Sequence, residues 1–261
     1  MAQAITAEQA QANLERKREQ AGVKVDTPSM SANNMADEMT IILNRVFPIP
    51  ADPVTPETDP EELRKEKIRQ EHRDKPEPVL TEIGVGRRHV HCSFDTYQGK
   101  ENVVSACTKF LVDPVDIVLT GSPGTGKTHL AVAILRELVR ESKIRRDAHA
   151  RFVPVPELLA EIRASYRDDG PDERDIMDRY SQLPYLVLDD LGAEKTTEWS
   201  ITTLYLIIDR RYRDMRPTVV TTNLTLDQIA GTLSERISSR LASGKIITIK
   251  APDYRMKRGN P

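Results

Sequence analysis

The chain has 261 residues, enough for one sizeable α/β domain and a smaller appendage. Its 38 basic and 40 acidic side chains leave a formal net charge of −2, which excludes coating nucleic acid by bulk charge; any DNA contact must come from local patches. Two cysteines, Cys92 and Cys107, exclude a disulfide framework or a cysteine-rich zinc site, and the absence of a signal-like start or a bilayer-length apolar run predicts a soluble, cytoplasmic protein without a membrane partner.

In chain order, Thr6-x-x-Gln9 has the form of a capping box and opens a short polar helix that stops at Gly22. A second helix is expected over Met35–Phe47, with Met35, Met39, Ile42, Leu43 and Val46 on one face. That stripe either packs on its neighbours or docks in the groove of a partner. Phe47 to Pro56 is proline-rich and is expected to be extended. Asp59-Pro60-Glu61-Glu62 starts a charged helix that runs to Lys75 and reads as a solvated spacer. The expected division is a small, mostly helical and partly disordered N-terminal partner-binding region over 1–47, a proline-rich and charged linker over 48–85, and one α/β domain over 86–261.

Within that domain, strands are predicted at 117–120, 151–155, 185–189, 218–222 and 246–249, separated by helical patterns. Strands alternating with helices imply a parallel sheet covered on both faces.

The first strand runs into Gly121-Ser122-Pro123-Gly124-Thr125-Gly126-Lys127-Thr128, which fits the phosphate-loop pattern without a mismatch. His129 and the apolar positions after it continue as a helix. Glycines let backbone N–H groups curl around phosphate oxygens at the positive end of that helix. Lys127 is placed to reach the β- and γ-phosphates of ATP, and Thr128 offers a hydroxyl to Mg²⁺. Tyr185 to Leu188 is an apolar strand that ends in Asp189 and Asp190. Asp189 is expected to hold Mg²⁺ and Asp190 to orient or deprotonate the attacking water. Asn223 ends a third strand, where it either positions that water or is an ordinary turn residue. Arg236 and Arg240 lie four apart on one helix face. Spacing alone favours a surface ion pair with Glu235 or another acid; the alternative is a guanidinium supplied to a neighbouring subunit. His89, His91 and Cys92 are close in sequence, but in an extended segment the cysteine faces away from the histidines, which argues against a metal site.

Taken together these residues resemble the DnaC/DnaI-type AAA+ helicase loaders and the related IstB-like ATPases, from about Arg87 to Arg255. The elements that carry the resemblance are Ser93-Phe94-Asp95, the run 126–131, Leu188-Asp189-Asp190-Leu191-Gly192, Asp209-Arg210-Arg211-Tyr212, the run 217–223, Glu235-Arg236, Ser239-Arg240-Leu241 and Asp253-Tyr254-Arg255. The resemblance implies an AAA+ sheet of order 5-1-4-3-2 with a minimal C-terminal lid. It makes Asn223 the first sensor, Arg240 the finger acting in trans, and Arg255 the second sensor. It implies single-stranded DNA contacts at Tyr166, Thr197 and Trp199; the lone tryptophan, read from composition, is more often a core residue. Arg163, Arg167, Arg210, Arg211 and Arg213 are available as phosphate contacts unless they are simply solvated. Asp190 stands where many AAA+ proteins carry the longer Glu, which suits slow, switch-like hydrolysis. The implied function is ATP-dependent loading of a hexameric replicative helicase, gripped by the N-terminal region, onto single-stranded DNA by an ATP-bridged oligomer. Two further readings remain: an IstB-like ATPase that assists a transposase, and an ATP-locked adaptor that does not hydrolyse.

Overall fold

The computed structural model describes residues 60–166 and 172–254. The helices expected before residue 48, the proline-rich stretch, Arg167, Arg255 and the expected lid beyond it lie outside the described residues. The chain divides into two units, 1–58 and 59–261, and the described residues lie in the second.

Five parallel strands form the sheet: β1 (Ile117–Thr120), β2 (Ala150–Pro154), β3 (Tyr185–Leu191), β4 (Thr218–Thr222) and β5 (Lys245–Thr248). Their spatial order is β2-β3-β4-β1-β5, the expected 5-1-4-3-2 order read from the other edge. β1 sits between β4 and β5, with Thr120 level with Thr222 and Thr248, so the loops leaving β1, β3 and β4 emerge at one end of the sheet. The strand interiors are apolar on both faces because helices cover both. Ile117, Leu119, Val187 and Val219 enter one core, while Val118, Leu186, Leu188 and Val220 enter the other.

α1 (Pro60–Asp74) packs against α4 outside the first core, which lies under α2 (Glu77–Glu82), α3 (Glu101–Val112) and α4 (Lys127–Arg140). The second lies under α5 (Val155–Ala164), α6 (Glu173–Gln182), α7 (Glu198–Arg213), α8 (Leu226–Thr232) and α9 (Glu235–Ala242). Four of the described helices begin on sequence signals that fix them locally, the last being α9, where Ser234 Oγ accepts from the Arg236 N–H. Thr197 and Thr225 close capping boxes with Ser200 and Gln228, and Asp172 caps α6 by accepting from the Arg174 N–H. Proline inside the first turn of α5 explains why β2 stops at Pro154, one residue short of the expected end.

The expected domain boundary at residue 86 falls inside packed structure. Val79, Leu80, Ile83 and Val85 are buried in the first core, and the Phe152 N–H donates to the Ile83 carbonyl across the exposed edge of β2. The four apolar residues sit in a six-residue helix and a turn, too short to show a period. α1, by contrast, is a charged helix with exposed pairs such as Lys65 with Glu61 and Glu62, each worth little in stability. No helix among the described residues is long and apolar enough to cross a membrane.

Candidate nucleotide site

The loop between β1 and α4 departs from ordinary backbone where a glycine permits it. Gly124 and Gly126 take φ of +72° and +92°, and Gly126 caps the helix that begins at Lys127. Lys127 is buried, and its ammonium donates to the carbonyls of Gly121 and Ser122, each at 2.9 Å, and to Asn223 Oδ1 at 2.7 Å. Thr125 Oγ1 closes the loop on the Ser122 carbonyl at 2.9 Å.

Beside the loop, Thr128 Oγ1 donates to Asp189 Oδ1 at 3.0 Å, and Thr221 Oγ1 donates to the same oxygen at 2.7 Å. Asp189 is only 6% exposed. Burial pushes its carboxyl above the ordinary value; the Thr221 hydroxyl opposes this, and the neighbouring Asp190 adds to it. A buried carboxylate with a hydroxyl beside it fits a hard divalent cation. Asp190 follows with φ +55°, and its N–H donates to Thr221 Oγ1 at 2.9 Å. The structure therefore brings Lys127, Thr128, Asp189, Asp190 and Asn223 to one place from three strand ends. Chemically, the cradle suits a polyphosphate: N–H groups and an ammonium for the anion, and oxygens for its counter-cation.

His129, expected among the nucleotide-binding residues, turns its ring to the preceding chain. Nε2 donates to the Ser93 carbonyl at 2.8 Å and lies 3.2 Å from Thr96 Oγ1; burial lowers the ring's pKa, and the bond to Ser93 offsets part of that. Two turns along the same helix face, Arg136 donates to the carbonyls of Cys92 and Val90 and pairs with Glu77 at 2.8 Å. Residues 90–96 are thus latched to α4 at two points, a pairing that sequence reading missed because neither partner segment has a motif of its own. Among the described residues there is no group of three or more His, Cys, Asp or Glu able to hold a metal.

Arg240 Nε donates to Asp209 Oδ1 at 2.9 Å, its guanidinium lies 5.0 Å from the Tyr212 ring centroid, and Arg213 pairs with the other Asp209 oxygen at 3.0 Å. The ion pair expected from spacing alone therefore exists, with Asp209 on α7 and not Glu235 as partner. It holds Arg240 at the surface, one third exposed. Of the arginines considered as phosphate contacts, Arg211 is fully buried and Arg210 pairs with Asp178. Burial takes Arg211 off that list.

Tyr166, 55% exposed, accepts a hydrogen bond from Trp199 Nε1 at 2.9 Å, and the two rings meet edge to face at 6.5 Å. Arg163 lies 4.6 Å above the Trp199 ring. Trp199 is half-buried at the start of α7, and the Thr197 hydroxyl is engaged in capping that helix.

The fold and this constellation define a phosphate-loop nucleotide-binding protein with AAA+ strand order. The chain belongs to the IstB-like ATP binding protein family, whose sequence model matches residues 88–259. It is similar to the replicative helicase loader DnaC of Escherichia coli K12, with 26% identity over 196 residues, 72% of this chain and 78% of that protein. Among solved structures it is similar to the DnaC helicase loader, with TM-score 0.55 and 27% identity, covering 63% of this chain and 100% of the other. It is likewise similar to DnaI, with TM-score 0.55 and 26% identity, covering 64% and 96%.

Proposed function

We propose that this protein is an ATP-dependent loader of a hexameric replicative helicase onto single-stranded DNA. The observation that carries the reading is a complete phosphate-loop, Asp189 and Asn223 constellation on a chain whose similarity to helicase loaders covers most of its length. Lys127 and the loop N–H groups hold the phosphates. Thr128 and Asp189 would hold Mg²⁺, which would supply charge neutralisation to the bound polyphosphate. Asp190 and Asn223 orient the attacking water. Asp190, one methylene shorter than Glu, keeps turnover slow, so the nucleotide acts as a switch between assembled and released states. Tyr166, Trp199 and Arg163 offer stacking faces and a positive charge to a single strand, and the N-terminal region grips the helicase.

Arg240 completes the site of a neighbouring subunit, which makes a sharp prediction. Arg240→Ala and Asp190→Ala are each expected to stop phosphate release when pure. An equal mixture restores about a quarter of the interfaces, because half the subunits keep Asp190 and half of their neighbours keep Arg240. A mixture as inactive as either variant counts against the trans role.

The loading test uses the full chain, ATP, the host's replicative helicase and circular single-stranded DNA. Transfer of helicase to the circle, lost with Lys127→Ala, is the expected result. Association with a transposase and none with the helicase favours the IstB-like reading, and loading without phosphate release favours the ATP-locked adaptor.

A further inference from the structure

The turn after β3 has an unusual construction. Asp190 is in the left-handed region, at φ +55°, where a residue with a Cβ is strained. The Ala193 N–H closes the turn on the Asp190 carbonyl at 3.1 Å, and Gly192 takes φ +91°. The Gly192 N–H then points to a side chain: it donates to Glu194 Oε2 at 2.8 Å. Glu194 is half-buried, and its other oxygen, Oε1, is buried without a hydrogen-bond partner. Burial raises its carboxyl above the ordinary value, and the N–H groups of Glu194 itself and of Gly192 offset part of that. A carboxylate held in such a place needs a reason.

The turn also abuts the strand end that carries Asn223. Gly192 packs on the Leu224 side chain so closely that a Cβ would collide with it. The Leu224 N–H is held by Thr222 Oγ1 at 3.0 Å, and that hydroxyl donates to the Leu191 carbonyl at 2.7 Å. The ends of β3 and β4 are therefore tied through residues 191, 192, 222 and 224. Because the Asp190 side chain is short, its carboxylate has little reach of its own, and the backbone of this turn decides where it lies.

We propose that Glu194 is a positioning residue for ATP hydrolysis, bracing the turn through the Gly192 N–H so that Asp190 keeps its left-handed conformation. The assignment rests on the reading of Asp190 as the group that orients the attacking water. An acceptor at position 194, rather than its charge, is what the brace requires.

The experiment compares the full-length wild type with Glu194→Ala and Glu194→Gln, reading steady-state ATP turnover, nucleotide affinity and the exchange rate of the Gly192 amide without nucleotide. Glu194→Ala is expected to lower kcat about tenfold with KM and nucleotide affinity unchanged, and to speed Gly192 exchange by about tenfold. Glu194→Gln keeps an acceptor oxygen and is expected to stay within about threefold of wild type in both. Equal loss in Gln and Ala overturns the brace in favour of Glu194 as a charge or proton acceptor in its own right. Wild-type kcat in the Ala variant overturns the assignment alone, whereas a wild-type chain without turnover overturns the reading of Asp190 and this assignment with it.

Discussion

Replacing Arg211 with methionine is expected to destabilise the ATPase unit by at least about 3 kcal/mol, because the guanidinium is fully buried and every arm is used. Nε donates to Thr218 Oγ1 at 2.9 Å. Nη1 donates to the carbonyls of Tyr180, Ser181 and Leu183, and Nη2 donates to the Pro217 carbonyl at 2.8 Å. One side chain thus joins the end of α6, the entry to β3 and the entry to β4. Burial pulls the guanidinium below its ordinary value, and nearby Asp116 offsets part of that cost. Methionine matches the stem but leaves buried carbonyls without donors, each costing about 1–3 kcal/mol. For a unit of this size, a loss of about 3 kcal/mol lowers Tm by roughly 6–12 °C. Its neighbour gives the control: Arg210→Ala removes a partly exposed pair with Asp178 and is expected to cost about 1 kcal/mol or less. Urea unfolding of both variants checks the contrast, and an Arg211→Met midpoint equal to that of Arg210→Ala would refute it.

Lys127→Ala is expected to weaken ATP binding at least about 100-fold. The ammonium holds the carbonyls of Gly121 and Ser122 together and reaches Asn223 Oδ1, so it already stands at the mouth of the loop. On phosphate binding those contacts are exchanged for charge-assisted bonds to the anion, worth about 1.5–3 kcal/mol each. Two such bonds amount to about 3 kcal/mol or more, which is the 100-fold figure. The variant should still fold, because the core strands and α4 keep their apolar contacts. Titration with a fluorescent ATP analogue measures the effect, and a change of less than about tenfold would show that the loop N–H groups carry the affinity without the lysine.

The parts of this molecule legible in sequence are those written in consecutive residues. The phosphate loop is one uninterrupted motif, and the strand interiors are short β-branched runs, so both are found where they were expected within a residue or two. Asp189 and Asp190 are legible as acids ending an apolar run, but the left-handed turn at Asp190 is not, since aspartate gives no sign of its φ. The bond from Lys127 to Asn223 spans 96 positions, and nothing local announces it. The arginines at 210, 211 and 213 make the same point on one helix: steps of about 100° per residue send one to Asp178, one into the core and one to Asp209. Their identical chemistry hides three different environments. Residues 79–85 were missed because a short helix and a turn have no period to read.

The double latch on α4 gives that helix a mechanical meaning. Its first turn carries Lys127 and Thr128, and the same rod is fastened at His129 and Arg136 to the chain that leads back through α2 and α1 towards residues 1–59. A 14-residue helix is about 21 Å long, so a pivot of about 5° at the phosphate end moves the far end by nearly 2 Å. Glu137 and Arg140 near the far end line one cleft with Arg73 and Asp74 at the C-terminal end of α1. The first turn that carries Lys127 and Thr128 and the face that holds residues 90–96 and Glu77 therefore belong to one rigid helix, so a shift at the phosphate loop is felt by the segment that precedes the sheet.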